Sequence, residues 1–302
     1  MSANTIQNLR EQYAALTKTL LAIGDREQAY ACAEIAVKNG IWKDVRQRPS
    51  TFSPLLPQKP IYGAASLWFV PFLENHYPII RDEVMRVVDP SREGFSPVEE
   101  PLVGKGRWEE VIFYEGGIRM DRSCSLFPKT AEIMSRIPEA IHSGGVVMLS
   151  WLYPHTYIVP HCGESNLKLR VHMGLKVPAG ASMRVGDEHF VWQEGRCTVF
   201  DDSFEHEVWN RSDEPRIVLL FDIVHPELPA RDLKQELDDE TNLEETILKF
   251  LTARGIAEVE RDPVTNKLTV IPDRATTLTI TRYMKDHDVS HVGIEHGAVV
   301  ID

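Results

Sequence analysis

Between residues 145 and 225 the chain breaks into eight short apolar or alternating runs: 145–153, 156–160, 167–177, 182–186, 188–193, 197–201, 205–210 and 216–224. Pro178, Gly180, Gly186 and Gly195 punctuate them. Runs this short and this closely spaced are strands, not helices, and so many in one span must close into a sandwich or barrel to cover their apolar faces. The predicted fold is therefore mainly β with flanking helices. Its core is a double-stranded β-helix, the jelly-roll or cupin-like form, with helices over 72–87 and 128–140 packed outside it. A further strand is predicted over 108–115, an extended Pro-rich connection over 46–60, and a loop over 88–107.

Three stretches follow from these patterns: an N-terminal helical segment 1–45, the β domain 46–229, and a C-terminal α+β extension 230–302. Ile6, Leu9, Tyr13, Leu16 and Leu20 recur at helical spacing, and residues 25–39 repeat the pattern, with Asp25 as N-cap and Gly40 closing the end. This pair reads as a packing hairpin at the domain edge; a peptide-binding repeat array needs three or more units. In the extension, 230–254 and 275–286 read as helices, 258–269 as a hairpin and 290–301 as a strand. Its His287, His291 and His296 are unevenly spaced and read as solvent-exposed. The extension offers a surface for a homo-oligomer.

A net charge of -12 over 302 residues argues against nucleic acid, which selects basic surfaces. Cys32, Cys124, Cys162 and Cys197 are scattered, without the paired spacing of a zinc ribbon or a disulfide framework. The first residues lack the basic and apolar regions of a signal peptide, and no apolar run approaches the ~20 residues of a membrane span. These features lead to an expectation of a cytoplasmic protein with no membrane partner.

The chemistry-bearing residues lie inside the β region. His161 follows a proline on a bend, and His206 opens a strand 45 residues later. Each alone reads as a structural histidine; together, on strands facing across a barrel, they make an imidazole pair suited to a first-row transition metal. Strand 167–177 alternates, with Leu167, Leu169, Val171, Met173 and Leu175 on one face and Lys168, Arg170, His172, Gly174 and Lys176 on the other. In an open jelly roll the second face can line a ligand cavity. Arg216 stands at the mouth of an apolar run that implies burial on both faces. Such an arginine wants an anion; the sequence leaves open whether that is a ligand carboxylate or an acidic side chain.

The stretch from Ser150 to Leu228 resembles the aspartyl/asparaginyl β-hydroxylase family of iron(II)- and 2-oxoglutarate-dependent oxygenases. The residues that carry the resemblance are His161-Cys162-Gly163-Glu164-Ser165-Asn166 and Arg170-Val171-His172-Met173-Gly174. They continue through Arg184, Gly186, Trp192, Gly195, Phe200, His206 to Trp209, Arg216 and His225-Pro226-Glu227-Leu228. The first 40 residues and the tail beyond 230 are not clearly covered. The resemblance implies that His161 and His206 bind iron(II), that Arg216 pairs with the distal carboxylate of 2-oxoglutarate, and that Ser150, Arg170 and His172 hold that co-substrate. Tyr114 falls roughly where the family places an aromatic beside it. Related oxygenases take a third ligand, a carboxylate, two residues after the first histidine. Here that residue is Gly163, as is common in this family, and Glu164 or Asp202 are the nearby substitutes.

The implied activity is hydroxylation of an unactivated C–H bond, with molecular oxygen as oxidant and an amino acid, an amino-acid-derived metabolite or a peptidyl Asp or Asn as substrate. The same cofactor chemistry can also desaturate, epoxidise or cyclise. A metal-binding jelly-roll sensor without turnover would need neither Arg216 nor 2-oxoglutarate, and a cupin-like isomerase would use three or four protein ligands. Arg119, Arg122 and Lys129 are candidate contacts for a substrate carboxylate, and Trp151 and Tyr153 for shaping the pocket.

Overall fold

A computed structural model describes residues 3–88, 94–228 and four strands beyond them. Its helices are α1 (Ala3–Ala22), α2 (Arg26–Lys38), α3 (Phe69–Val88), α4 (Asp121–Leu126), α5 (Pro128–Ser135) and α6 (Pro138–Ile141). Its first strands are β1 (Ile61–Tyr62), β2 (Ser96–Pro97), β3 (Val103–Lys105), β4 (Trp108–Glu115) and β5 (Ile118–Arg119). Eight follow in close order: β6 (Val146–Leu152), β7 (Thr156–His161), β8 (Lys168–Lys176), β9 (Ala181–Val185), β10 (Glu188–Phe190), β11 (Cys197–Phe200), β12 (His206–Asn210) and β13 (Arg216–Val224). The last four are β14 (Val259–Arg261), β15 (Leu268–Val270), β16 (Val292–Glu295) and β17 (Ala298–Ile301).

The strand order identifies the architecture. One antiparallel sheet runs β1-β11-β8-β13-β6-β4-β2 and the other β10-β9-β12-β7-β3. Taken alone, β6 to β13 divide between the sheets as β11-β8-β13-β6 and β10-β9-β12-β7, so the chain crosses between sheets at almost every turn. That is the winding of a double-stranded β-helix, as the spacing of the short runs predicts. The runs expected at 188–193 and 197–201 shorten to β10 and β11, and the predicted loop over 88–107 contains β2 and β3.

Alternation decides which side chains enter the barrel. Leu169, Val171, Met173 and Leu175 of β8 pack with Leu149, Ile217, Leu219 and Phe221 and with Phe69, Leu73, Ile80 and Met134 of the helices. The opposite faces meet the second sheet, where Met148, Leu152, Val218 and Leu220 pack with Ile158, Met183, Val185 and Val208. Strand β13 is thus covered on both sides, and Arg216, Val218, Leu220 and Asp222 share its inward face. The single helix expected over 128–140 is split into α5 and α6 at Pro138, whose ring cannot continue the helix behind it.

The helical pair forms as its periodicity requires. Asp25 caps α2 by accepting from the Gln28 amide. Ala33, Ala36, Ile41, Trp42 and Phe52 make a small core with Ile6, Leu9, Tyr13 and Ala14. The described chain divides into two compact units, and this pair belongs to the same one as the barrel. In the other unit, β14, β15, β17 and β16 pair in that order as an antiparallel sheet. The hairpin expected at 258–269 appears as β14 paired with β15, and the strand expected at 290–301 as the hairpin β16–β17. The helices expected at 230–254 and 275–286 and the histidines 287, 291 and 296 lie outside the described residues.

Candidate active site

His161 ends β7 and His206 begins β12, and the two are register partners across the antiparallel pair. Their ring centroids lie 4.0 Å apart. Each Nδ1 is bound to a backbone carbonyl two residues earlier, His161 to Val159 O at 2.8 Å and His206 to Phe204 O at 2.9 Å. A ring nitrogen that bonds a carbonyl must be the N–H, which leaves each Nε2 with its lone pair, the form that binds a metal. Burial lowers the pKa of His161 to about 4 and that of His206 well below its ordinary value. Both rings are neutral at physiological pH.

Among the described residues no third His, Cys, Asp or Glu joins this pair in a metal-binding group. The reason lies at Gly163. A Cβ there would come within 2.5 Å of the Asp202 carboxyl carbon. Asp202 fills the space that a side chain at 163 would need, and the Gly163 amide donates to the Asp202 carbonyl at 2.7 Å. The Asp202 carboxylate is held by Arg170, Nη1 to Oδ2 at 2.9 Å. Burial, opposed by Arg170 and assisted by Asp222, raises Asp202 to about 6.

Arg170 is committed on its other edge as well. Its Nε and Nη2 donate to the two carboxylate oxygens of Asp222 at 2.8 and 3.2 Å. Two flanking carboxylates keep its charge despite burial. Asp222 is a site residue that sequence reasoning passed over. Its signal is visible afterwards: a lone carboxylate on the inward face of the apolar run that also carries Arg216.

Arg216 is in the opposite situation. It is 1% exposed, and no acidic side chain pairs with it among the described residues. Nη1 reaches the Ser150 hydroxyl at 3.3 Å, the guanidinium lies 4.7 Å from the centre of the Trp192 ring, and Nε has no partner. Burial alone pulls its pKa down to about 9. Of the two partners the sequence leaves open, no acidic side chain is found among the described residues. Beside it, His172 accepts at Nδ1 from the Trp192 indole N–H at 3.2 Å, which puts its own proton on Nε2, and that atom too is buried without a partner. His172 and Arg216 thus both contact Trp192 and present two orphaned donors in the barrel interior, while Ser150 also accepts from Trp108 Nε1 at 2.9 Å. Buried donors without acceptors are rare and costly.

A cavity of about 580 Å³ opens over the histidines, and its wall includes His161, His206, Gly163, Arg170, Asp202 and Asp222. Ser150, His172 and Arg216 are not part of that wall; they lie in the closed interior, 4% exposed or less. Helix α1 supplies one side of the cavity through Glu11, Ala14, Ala15, Thr17, Lys18, Leu21 and Ala22. The hairpin expected only to pack at the domain edge therefore also shapes the cavity. No sequence signal marked this, because Lys18 and Glu11 look like any charged residues on a solvated helix face.

Tyr114 is buried in the core on the helix side of its sheet, with Val111 and Phe113. Arg122 and Lys129 are exposed at the starts of α4 and α5, and Arg119 is exposed on β5; none of the three lines the cavity. Trp151 and Tyr153 pack in the same helix-side core, 5.7 Å apart.

An ion-pair network fixes the backbone around His206. Glu205 is bound by Arg48 at 2.5 Å and Arg184 at 2.8 Å and accepts from Tyr30 of α2 at 2.7 Å. Glu207 is bound by Arg184 at 2.6 Å and accepts from Tyr157 at 2.6 Å. Despite burial, these donors hold Glu205 down to about 2. The residues on either side of the second histidine are thereby anchored, one of them to the helical pair.

Residues 74–226 match the family model of aspartyl/asparaginyl beta-hydroxylases. The human protein named aspartyl/asparaginyl beta-hydroxylase is 34% identical over 221 residues, 72% of this chain and 29% of that protein. Mouse aspartate beta-hydroxylase domain-containing protein 2 is 33% identical over 205 residues, 64% of this chain and 58% of that one. The ornithine lipid ester-linked acyl 2-hydroxylase of Rhizobium tropici is 31% identical over 185 residues, 58% of this chain and 64% of that one. The chain thus spans under a third of the human relative and less than two thirds of the other two. A solved prolyl-4-hydroxylase from Pseudomonas putida, with a TM-score of 0.33 over 49% of this chain and 86% of that one and 12% identity, is too distant to add to this picture.

Proposed function

Because the chain belongs to the aspartyl/asparaginyl β-hydroxylase family, we propose that it is an iron(II)- and 2-oxoglutarate-dependent oxygenase that hydroxylates an unactivated C–H bond of an amino-acid-like substrate. The observation that carries the reading is the pair of orphaned donors in the barrel interior. Arg216 Nε and the His172 Nε2 proton are buried without acceptors among the described residues, and both side chains contact Trp192. A fold tolerates an unpaired buried guanidinium poorly, and a dicarboxylate co-substrate supplies the missing charge.

In this reading His161 and His206 hold the iron through their free Nε2 atoms, and their Nδ1 bonds to Val159 and Phe204 fix the ring planes. Iron(II) with 2-oxoglutarate and oxygen supplies the oxidising power; the protein supplies binding, orientation and exclusion of water. Arg216 and Ser150 receive the far carboxylate of 2-oxoglutarate. Arg170, tied to Asp202 and Asp222, keeps the Asp202 carboxylate beside Gly163, in the cavity wall with both histidines. The buried faces of Phe200, Trp192 and Val185 keep bulk water from the interior.

The cavity bears on the substrate. Its wall combines Lys18, Lys168 and Arg170 with Glu11, Glu100 and Glu164. Leu21, Leu102, Trp108, Val146 and Val159 line it as well, so the wall offers both charged and apolar contacts to an amino-acid-like substrate. Among the described residues no helix is long and apolar enough to cross a membrane.

The test is an anaerobic titration of the apo-protein with Fe(II) and then 2-oxoglutarate, followed by the visible charge-transfer absorption of the chelate. The band is expected in the wild type, absent in His206→Ala and shifted to higher 2-oxoglutarate concentration in Arg216→Met. A folded, iron-binding wild type that shows no band refutes the co-substrate assignment.

A further inference from the structure

Trp192 lies between β10 and β11 and is 2% exposed. It touches both orphaned donors of the interior. Its indole N–H donates to His172 Nδ1 at 3.2 Å, and the two rings lie 5.9 Å apart at an interplanar angle of 25°. The Arg216 guanidinium sits over the indole, 4.7 Å from its centre. Packing alone asks for less. Trp192 meets Phe190 at 5.6 Å and joins the apolar core of Met183, Val185 and Phe200, contacts that a phenyl ring also makes.

The indole N–H can only donate, so it selects one of the two neutral forms of His172. Nδ1 must carry the lone pair and Nε2 the proton. Among the described residues that N–H is the one hydrogen-bond partner of the His172 ring. The ring's other aromatic neighbour, Phe200, meets it at right angles at 5.0 Å and offers no polar atom. A single bond therefore sets both the tautomer and the direction of the imidazole. With the proton on Nδ1 instead, Nε2 would present a lone pair, which repels a carboxylate oxygen where a proton attracts it.

We propose that Trp192 is a positioning residue for the co-substrate: its N–H holds His172 as an Nε2–H donor toward a carboxylate of 2-oxoglutarate, beside Arg216. This rests on the oxygenase reading of the site and adds to it a residue that acts through His172. The indole decides whether the interior presents an anion with two donors or with one.

Three measurements on the full chain test it. Nitrogen NMR of the metal-free protein carrying isotope-labelled histidine should show His172 with an unprotonated, hydrogen-bonded Nδ1 and a protonated Nε2. Trp192→Phe should shift that Nδ1 toward the value of a free acceptor and leave His225, bonded to Tyr62, where it was. In the anaerobic Fe(II)-loaded protein, followed by the charge-transfer band, Trp192→Phe should raise the Kd for 2-oxoglutarate roughly five- to tenfold while the Kd for Fe(II) changes less than about twofold. In the Zn(II)-loaded wild type, which needs no variant, adding 2-oxoglutarate should move the His172 Nε2–H resonance. The proposal is overturned if wild-type His172 carries a proton on Nδ1, or if its Nε2–H resonance ignores 2-oxoglutarate. It is equally overturned if Trp192→Phe leaves either the Nδ1 resonance or the 2-oxoglutarate Kd unmoved, or if it weakens Fe(II) binding as much as 2-oxoglutarate binding. Any of these with an intact wild-type band sinks this inference alone, whereas a wild type without a band sinks the oxygenase reading.

Discussion

Replacing Arg216 by methionine should stabilise the protein in the absence of ligand, a result opposite to that of most substitutions at a fully buried position. Burial lowers the Arg216 pKa from 12.5 to about 9. At about 1.4 kcal/mol per pKa unit, that corresponds to an upper bound of about 5 kcal/mol for keeping the cation inside without a counterion. For a base whose folded pKa is depressed, the unfolded chain binds more protons between the two pKa values, so the cost is fully present below about pH 9. The Trp192 face at 4.7 Å returns about 1–2 kcal/mol and the long bond to Ser150 roughly 0.5 kcal/mol more. Methionine has a similar length and no charge. The net expectation is that ligand-free Arg216→Met gains about 2 kcal/mol, or roughly 4–8 °C in Tm. Tryptophan fluorescence is the assay, because all six tryptophans lie between residues 42 and 209 and report on the barrel and its helices. In the wild type, 2-oxoglutarate at about a hundred times its Kd should add about 2.7 kcal/mol, and the variant should gain almost nothing. The reasoning is refuted if ligand-free Arg216→Met loses 3 kcal/mol or more, since Arg216 would then have a structural partner, or if the variant keeps its stabilisation by 2-oxoglutarate.

Other substitutions test other parts of the site. Gly163→Ala brings a methyl group to within 2.5 Å of the Asp202 carboxyl carbon, so Asp202 must move; a loss of about 1–3 kcal/mol in stability is expected, with weaker Fe(II) binding, read by a chemical melt and a metal titration. Glu205→Gln leaves Arg48 and Arg184 short of a buried partner and should destabilise by roughly 3 kcal/mol; a change under 1 kcal/mol would mean the network is dispensable. Acid should act on the ligand-free protein through His161. Its folded pKa is lowered to about 4 from 6.5, so between those values the unfolded chain binds the proton and stability falls as pH falls; the expected loss is up to about 3 kcal/mol, and bound Zn(II) should oppose it. A His161 ring that titrates near 6.5 in the NMR spectrum of the metal-free protein would contradict the burial of that ring.

The strands β6 to β13 were legible because their signal is local. An alternating face on β8 and a two-faced apolar run on β13 state which side chains point inward before any partner strand is known. The register pairing of His161 with His206 was not written in either segment: the sequence reads them as a pair on strands facing across a barrel, and the fold makes them neighbours in one sheet. The splitting of the helix at Pro138 and the shortening of β10 are boundary effects that local rules place only approximately.

Pairing between distant residues was not legible. The sequence places Arg170 and Arg216 on neighbouring inward faces, as equivalent-looking candidates for an anion. Among the described residues the fold gives Arg170 two carboxylates and Arg216 none. That difference arises from register: Asp222 lies opposite Arg170 across β8 and β13, and the loop before β12 brings in Asp202. In the same way, helical periodicity shows that α1 has a face but not what the face meets. Side-chain direction along a strand or helix is set by the chain's own repeat and can be read from the amino acids in order. Which charge meets which, and which donor is left for a ligand, depends on contacts between residues far apart in sequence, and only the closed barrel with α1 beside it decides them.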